Sequence, residues 1–152
     1  MKTLANGQDT AEIIRRLASI GPASRRRWGT MTVSQMICHL SDAFSVALGD
    51  RAAKPIKNRY NGPLMRWVAL WLPLPWPHSV PTVPECDAKV GGTPPAELER
   101  DRDELLALLQ RFAAHSNVVA QQAHPFFGKL TEKEWMRWGY LHMDHHLRQF
   151  GA

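Results

Sequence analysis

Apolar residues recur at three- and four-residue intervals in four separated stretches, and no stretch sustains the two-residue alternation of a strand. The first predicted helix starts at Asp9, with Glu12 three residues on in the arrangement of a reciprocal cap. It runs through Ile13, Ile14 and Leu17 and stops at Gly21-Pro22. The second starts at Thr32 with Gln35 as cap partner, carries Val33, Met36, Ile37, Leu40, Ala43, Phe44 and Ala47 on one face, and ends near Gly49. The third begins after Thr93, with Pro94 and Pro95 accommodated in its first turn, and its stripe is Leu98, Leu105, Leu106, Leu109, Phe112 and Ala113. The fourth starts at Thr131 with Glu134 as cap partner and continues to about Phe150. This pattern predicts an all-α, four-helix bundle forming one domain over residues 1–152.

The region between Asp50 and Gly92 does not fit that pattern. A connection this long carries structure of its own or serves a function. Leu64 to Leu72 suits a short helix, whereas LPLPWPHSVPTVP cannot be helical and is expected to cross the bundle and cap one end. The segment Trp67 to Trp76 is the most apolar run, but it is too short to span a bilayer and is broken by Pro73 and Pro75. Packing in the core or as a lid is the ordinary use of Trp67, Trp71 and Trp76; a partner-binding aromatic patch is the alternative.

Composition sets the outer bounds. The chain has 152 residues with 44% hydrophobic and 22% charged positions, which excludes a disordered or collagen-like protein. Cys38 and Cys86 are too few for a disulfide framework. The N-terminus shows no apolar core with a cleavage site, so a cytoplasmic location is expected. The net charge of +5 arises before residue 71, where 11 basic residues face 4 acidic ones. The run Arg25, Arg26, Arg27 lacks interleaved aromatics and a docking motif, so it reads as a solvated face; neither a nucleic-acid nor a membrane partner is expected.

The fourth helix holds the candidate chemistry. At about 100° per residue, Trp135, Gly139, His142, His146 and Gln149 share an arc of about 80°. His142 and His146 therefore stand one turn apart on the inward face. Two imidazoles placed there are costly unless something satisfies them, and a metal ion does so. The second helix offers His39 at the edge of its apolar stripe. Three neutral imidazoles suit a divalent ion such as Zn²⁺, Ni²⁺ or Fe²⁺ and leave open positions for water or substrate. Asp42, three residues after His39, is placed to orient a ligand ring, and Gln149 to hold a metal-bound water or substrate. His145 lies on the shoulder beside Trp138 and Leu141 and is not assigned as a ligand. The absence of Glu after His142 removes the H-E-x-x-H protease reading.

Three stretches carry a resemblance: RRRWGTMTVSQMICHLSDAF, PTVPECDAKVGGTPP and HPFFGKLTEKEWMRWGYLHMDHHLRQF. Together they resemble the DinB-like superfamily of metal-binding four-helix bundles, in an uncharacterised branch of it. The most specific part is the HPxFGxLTxxEW lead followed by HxxxHxxQ. The resemblance implies one histidine on the second helix and an HxxxH pair on the fourth, which fall on His39, His142 and His146. It also implies either a metal-dependent hydrolase or a thiol-dependent S-transferase acting on a small molecule with a low-molecular-weight thiol, and a homodimer. The long Pro/Trp-rich crossover between helices 2 and 3 departs from the simplest members and alters the expected substrate pocket.

His124 precedes Pro125 in the loop before the fourth helix and is expected to fix the lead-in turn; a lid or proton-transfer role is the alternative. Cys38 points about 100° away from His39 and reads as a small core thiol. Two other functional classes stay open at this level: a non-enzymatic interaction module built on the Trp-rich segment, and a metal-free structural bundle.

Overall fold

Side-chain caps fix where three of the main helices begin. In the computed structural model, which describes residues 1–56, 62–78 and 80–152, helices dominate. They are α1 (Gly7–Ala18), α2 (Val33–Leu48), α3 (Pro63–Trp71), α4 (Leu98–Ala114), α5 (Ser116–Val119) and α6 (Glu132–Gln149). A 3-10 turn at Pro84–Cys86 and a two-residue hairpin, β1 (Ala123–His124) with β2 (Gly128–Lys129), complete the described elements. The all-α expectation holds for the main elements. Positions 57–61 and 79 of the long connection lie outside the described residues.

Two of the expected caps form as complete reciprocal boxes, Thr32 with Gln35 and Thr131 with Glu134. The first helix differs. Asn6 caps α1 by accepting from the amides of Gln8 and Asp9, and the Asp9 carboxylate instead accepts from the Thr3 amide at 2.9 Å. Asn at a cap satisfies the same orphan amides as Asp, so the helix starts three residues before the Asp9 cap expected from sequence. The third predicted helix, α4, starts after Glu97 rather than within Pro94-Pro95. Those prolines precede it, and the buried Asp101 carboxylate accepts the Ala96 amide at 3.0 Å.

Helix α2 packs against α4, and α6 packs against both α1 and α2. Phe44, Phe112, Trp135 and Trp138 interlock edge-to-face where these helices meet, with Phe44 and Phe112 centroids 4.9 Å apart. Gly139 makes this approach possible, since a Cβ there would stand 2.8 Å from the Phe112 ring. Buried Arg137 ties the periphery to α6, donating from Nε to Leu70 O at 2.9 Å and from Nη1 to Lys2 O at 2.6 Å. Among the described residues, no helix is long and apolar enough to cross a membrane.

Each capping box satisfies two otherwise unpaired amides. Thr131→Ala and Thr32→Ala are therefore each expected to lower unfolding free energy by about 1 kcal/mol in urea titrations. No change in either midpoint would contradict the capping account.

Candidate metal centre

The chain directs three histidine side chains to one point from two helices. His39 comes from the middle of α2, and His142 and His146 stand one turn apart on α6. All three are buried, and one ring nitrogen of each lies within 4.8 Å of the others. His39 Nε2 is 3.1 Å from His142 Nε2.

The far sides of the rings explain this arrangement. His39 Nδ1–H donates to the carbonyl of Cys86 at 3.0 Å. His146 Nδ1–H donates to Gln149 Oε1 at 2.9 Å, and the Gln149 amide in turn donates to Trp28 O at 2.9 Å. A carbonyl oxygen can only accept, so both rings carry their proton on Nδ1 and leave a lone pair on Nε2. The tight backbone at Gly29 permits the Gln149 latch: with φ +77° its missing Cβ would lie 2.5 Å from Gln149 Nε2. His142 Nδ1 is buried and has no hydrogen-bond partner among the described residues.

These contacts fix the surroundings of Asp42 and Gln149, the two residues expected to support the ligands. Asp42 makes no hydrogen bond to any of the three rings. Its carboxylate accepts from the Thr93 amide at 2.7 Å and hydroxyl at 2.6 Å and pairs with Arg51 at 3.0 Å. Arg51 in turn donates to Glu85 O at 2.9 Å and Gly91 O at 3.2 Å. Asp42 thus holds the loop whose next carbonyl, that of Cys86, orients His39. At Gly92 a Cβ would press on this carboxylate at 2.8 Å, so the loop can close only over a glycine. Gln149, expected to hold a water or substrate, spends its carbonyl on His146 and its amide on Trp28. Sequence reasoning missed Cys86 because a backbone carbonyl leaves no side-chain signature. Pro84, suited to the first position of a turn, was the one available signal.

The rings open on a cavity of about 630 Å³ between α2, α6, the Pro-rich segment after α3 and the hairpin. Trp28, Trp76, Trp135, Trp138, Phe126 and Phe127 supply its aromatic walls. His145 packs edge-on against His146 at 5.1 Å and lies near Trp28 and Trp76 without joining the three convergent nitrogens, and His78 stacks on Trp28 at 4.1 Å and 6°. Of the three tryptophans weighed from sequence, Trp76 donates to Ala69 O at 2.8 Å, Lys133 sits 5.3 Å over the Trp71 ring, and Trp67 is 52% exposed. His124 fixes the turn before α6 as expected, accepting on Nδ1 from the amides of Phe126 and Phe127.

Electrostatics favour neutral rings and inert thiols. Burial holds His39 below the ordinary histidine range, and burial with neighbouring imidazoles holds His142 and His146 well below it. Burial pushes the Cys38 and Cys86 thiols up to about 12, so neither is a thiolate at neutral pH. Cys38 instead donates weakly to Asp101 across 3.7 Å.

A family model described as a protein of unknown function, DUF1569, matches residues 3–152. No curated protein and no solved structure matches the chain.

The lowered histidine pKa values have a stability consequence. Below the unfolded value of 6.5 the unfolded chain binds protons that the folded rings refuse. Stability is therefore full above pH 6.5 and falls as the pH drops below it. Each such ring contributes a slope approaching about 1.4 kcal/mol per pH unit. Urea midpoints of metal-free protein between pH 8 and pH 5 should fall steeply below 6.5; a flat profile would show that these rings titrate normally.

Proposed function

From the premise that the chain belongs to the DUF1569 family, whose description assigns no activity, we propose that it binds one divalent metal ion through His39, His142 and His146. The observation that carries this reading is the pair of fixed tautomers. Cys86 O and Gln149 Oε1 each take a ring N–H, so His39 and His146 present Nε2 lone pairs in the same space as His142. Neutral imidazoles whose outer N–H is held by a carbonyl or amide are what a first-row metal requires. Zn²⁺, Ni²⁺ and Fe²⁺ suit this donor set.

In this reading α1, α2, α4 and α6 are the four helices of a DinB-like bundle, and residues 50–92 are its crossover. Three protein ligands and an adjoining cavity favour a reactive centre over a closed structural one. A bound ion supplies Lewis acidity and lowers the pKa of a coordinated water or thiol. The chain's own residues exclude bulk water with aromatic walls and hold the imidazoles in one orientation. The function proposed is thus a metal-dependent hydrolase or thiol-dependent transferase acting on a small molecule.

A metal-free structural role accounts for less. His142 Nε2–H can donate to His39 Nε2, but the lone pair of His146 then gains nothing from the convergence. A second reading, a non-enzymatic interaction module, draws on the exposure of Trp67 at 52% beside Leu64 at 75%. That exposed group is confined to Leu64, Met65 and Trp67 on α3, and Trp71 and Trp76 are engaged within the fold.

Protein purified without a polyhistidine tag is expected to carry one equivalent of divalent metal by elemental analysis. The His142→Ala/His146→Ala variant should lose it, and Gln149→Leu should weaken affinity roughly 10- to 100-fold by freeing the His146 ring. Metal retained equally by the double variant would refute the assignment.

A further inference from the structure

A fourth histidine beside the cavity is also locked in one protonation form, with the opposite polarity. His124 closes β1, and its Nδ1 accepts from the backbone amides of Phe126 at 3.0 Å and Phe127 at 3.1 Å. Two N–H groups aimed at Nδ1 leave no room for a proton there. The ring must carry its hydrogen on Nε2 and present it as a donor. Burial moves the ring in the same direction, lowering its pKa to about 3.

Among the described residues nothing accepts that hydrogen, yet Nε2 is not among the buried orphan atoms, and the ring lines the cavity. Trp138 lies between this ring and the candidate centre, 5.0 Å from His124 and 4.9 Å from His142 by ring centroids. Trp135 and Phe127 flank His124 at 5.4 Å and 4.9 Å. Among the described residues no Lys or Arg lines the cavity, and Asp87 is its one carboxylate. A flat apolar ligand finds aromatic walls and enough volume there.

We propose that His124 is a ligand-binding residue whose Nε2–H anchors a carbonyl oxygen of an uncharged, ring-bearing molecule held in this cavity. The inference does not depend on the metal: it requires only the hairpin, the fixed tautomer and the aromatic walls. It specifies the ligand class of the same cavity and gives His124 a role beyond shaping the turn.

The test uses two probes of nearly the same shape, 2-acetylnaphthalene and 2-isopropenylnaphthalene, titrated into zinc-loaded and chelator-treated protein. His124→Asn keeps a side-chain oxygen for the Phe126 amide but has no ring to reach into the cavity. Between wild type and variant the acetyl probe should lose roughly three- to tenfold more affinity than the isopropenyl probe, in both metal states. Equal weakening of both probes, no weakening of either, or failure of both to bind wild type would overturn the proposal. So would a carbonyl preference that disappears on zinc removal while surviving His124→Asn, because the metal would then hold the carbonyl. Failure of the metal reading alone would leave the His124 result intact in chelator-treated protein. Nitrogen-15 NMR of the wild-type ring needs no variant: an Nε2–H tautomer at neutral pH supports the proposal, and an Nδ1–H tautomer or imidazolium refutes it.

Discussion

Three imidazole rings share one apolar pocket, and each has two nitrogens that must be accounted for. Burial denies them the charged form, so each ring has one donor and one acceptor. Cys86 O and Gln149 Oε1 consume the donors of two rings and turn their lone pairs inward. Much of the surrounding chain is organised around those two contacts. Asp42 and Arg51 hold the loop that brings Cys86 to His39, and Gly92 lets that loop close. Gly29 and Trp28 O hold Gln149 in register with His146.

The same logic runs through the hairpin with its sign reversed. Backbone amides at Phe126 and Phe127 donate to His124 Nδ1, so that ring offers a proton where His39 and His146 offer lone pairs. The cavity thus has an acceptor end at the three rings and a donor at His124, separated by Trp138. Aromatic side chains supply much of the remaining wall. Such a division favours ligands oriented by a few polar atoms over ligands bound by net charge. Among the described residues no Lys or Arg lines the site.

Helix boundaries were legible in the sequence wherever capping chemistry was unambiguous. Thr32-Gln35 and Thr131-Glu134 mark α2 and α6 because both halves of each box are side chains in fixed register. Asp9-Glu12 misled because Asn6 competes for the same amides and wins, freeing Asp9 to hold Thr3. Helical periodicity also selected the three histidines whose rings the structure brings together. The His146–Gln149 bond is a local contact three residues apart on α6, but periodicity could not assign Asp42 its Thr93 and Arg51 partners or Gln149 its Trp28 carbonyl, because those depend on how distant parts of the chain return to the helices. The Cys86 carbonyl and the amides behind His124 were invisible for a simpler reason: every residue has a backbone, and only the fold decides which backbone groups reach a ring.

The central claim is that two tautomer-fixed histidines and His142 converge on one metal ion with a position open toward the cavity. Anomalous diffraction from crystals of zinc-loaded protein tests it most directly. The account predicts one anomalous peak bonded to a ring nitrogen of His39, His142 and His146 at about 2.0–2.1 Å, with a non-protein ligand on the cavity side. A peak held by other residues, a fourth protein ligand closing the site, or no peak between the three rings would contradict it.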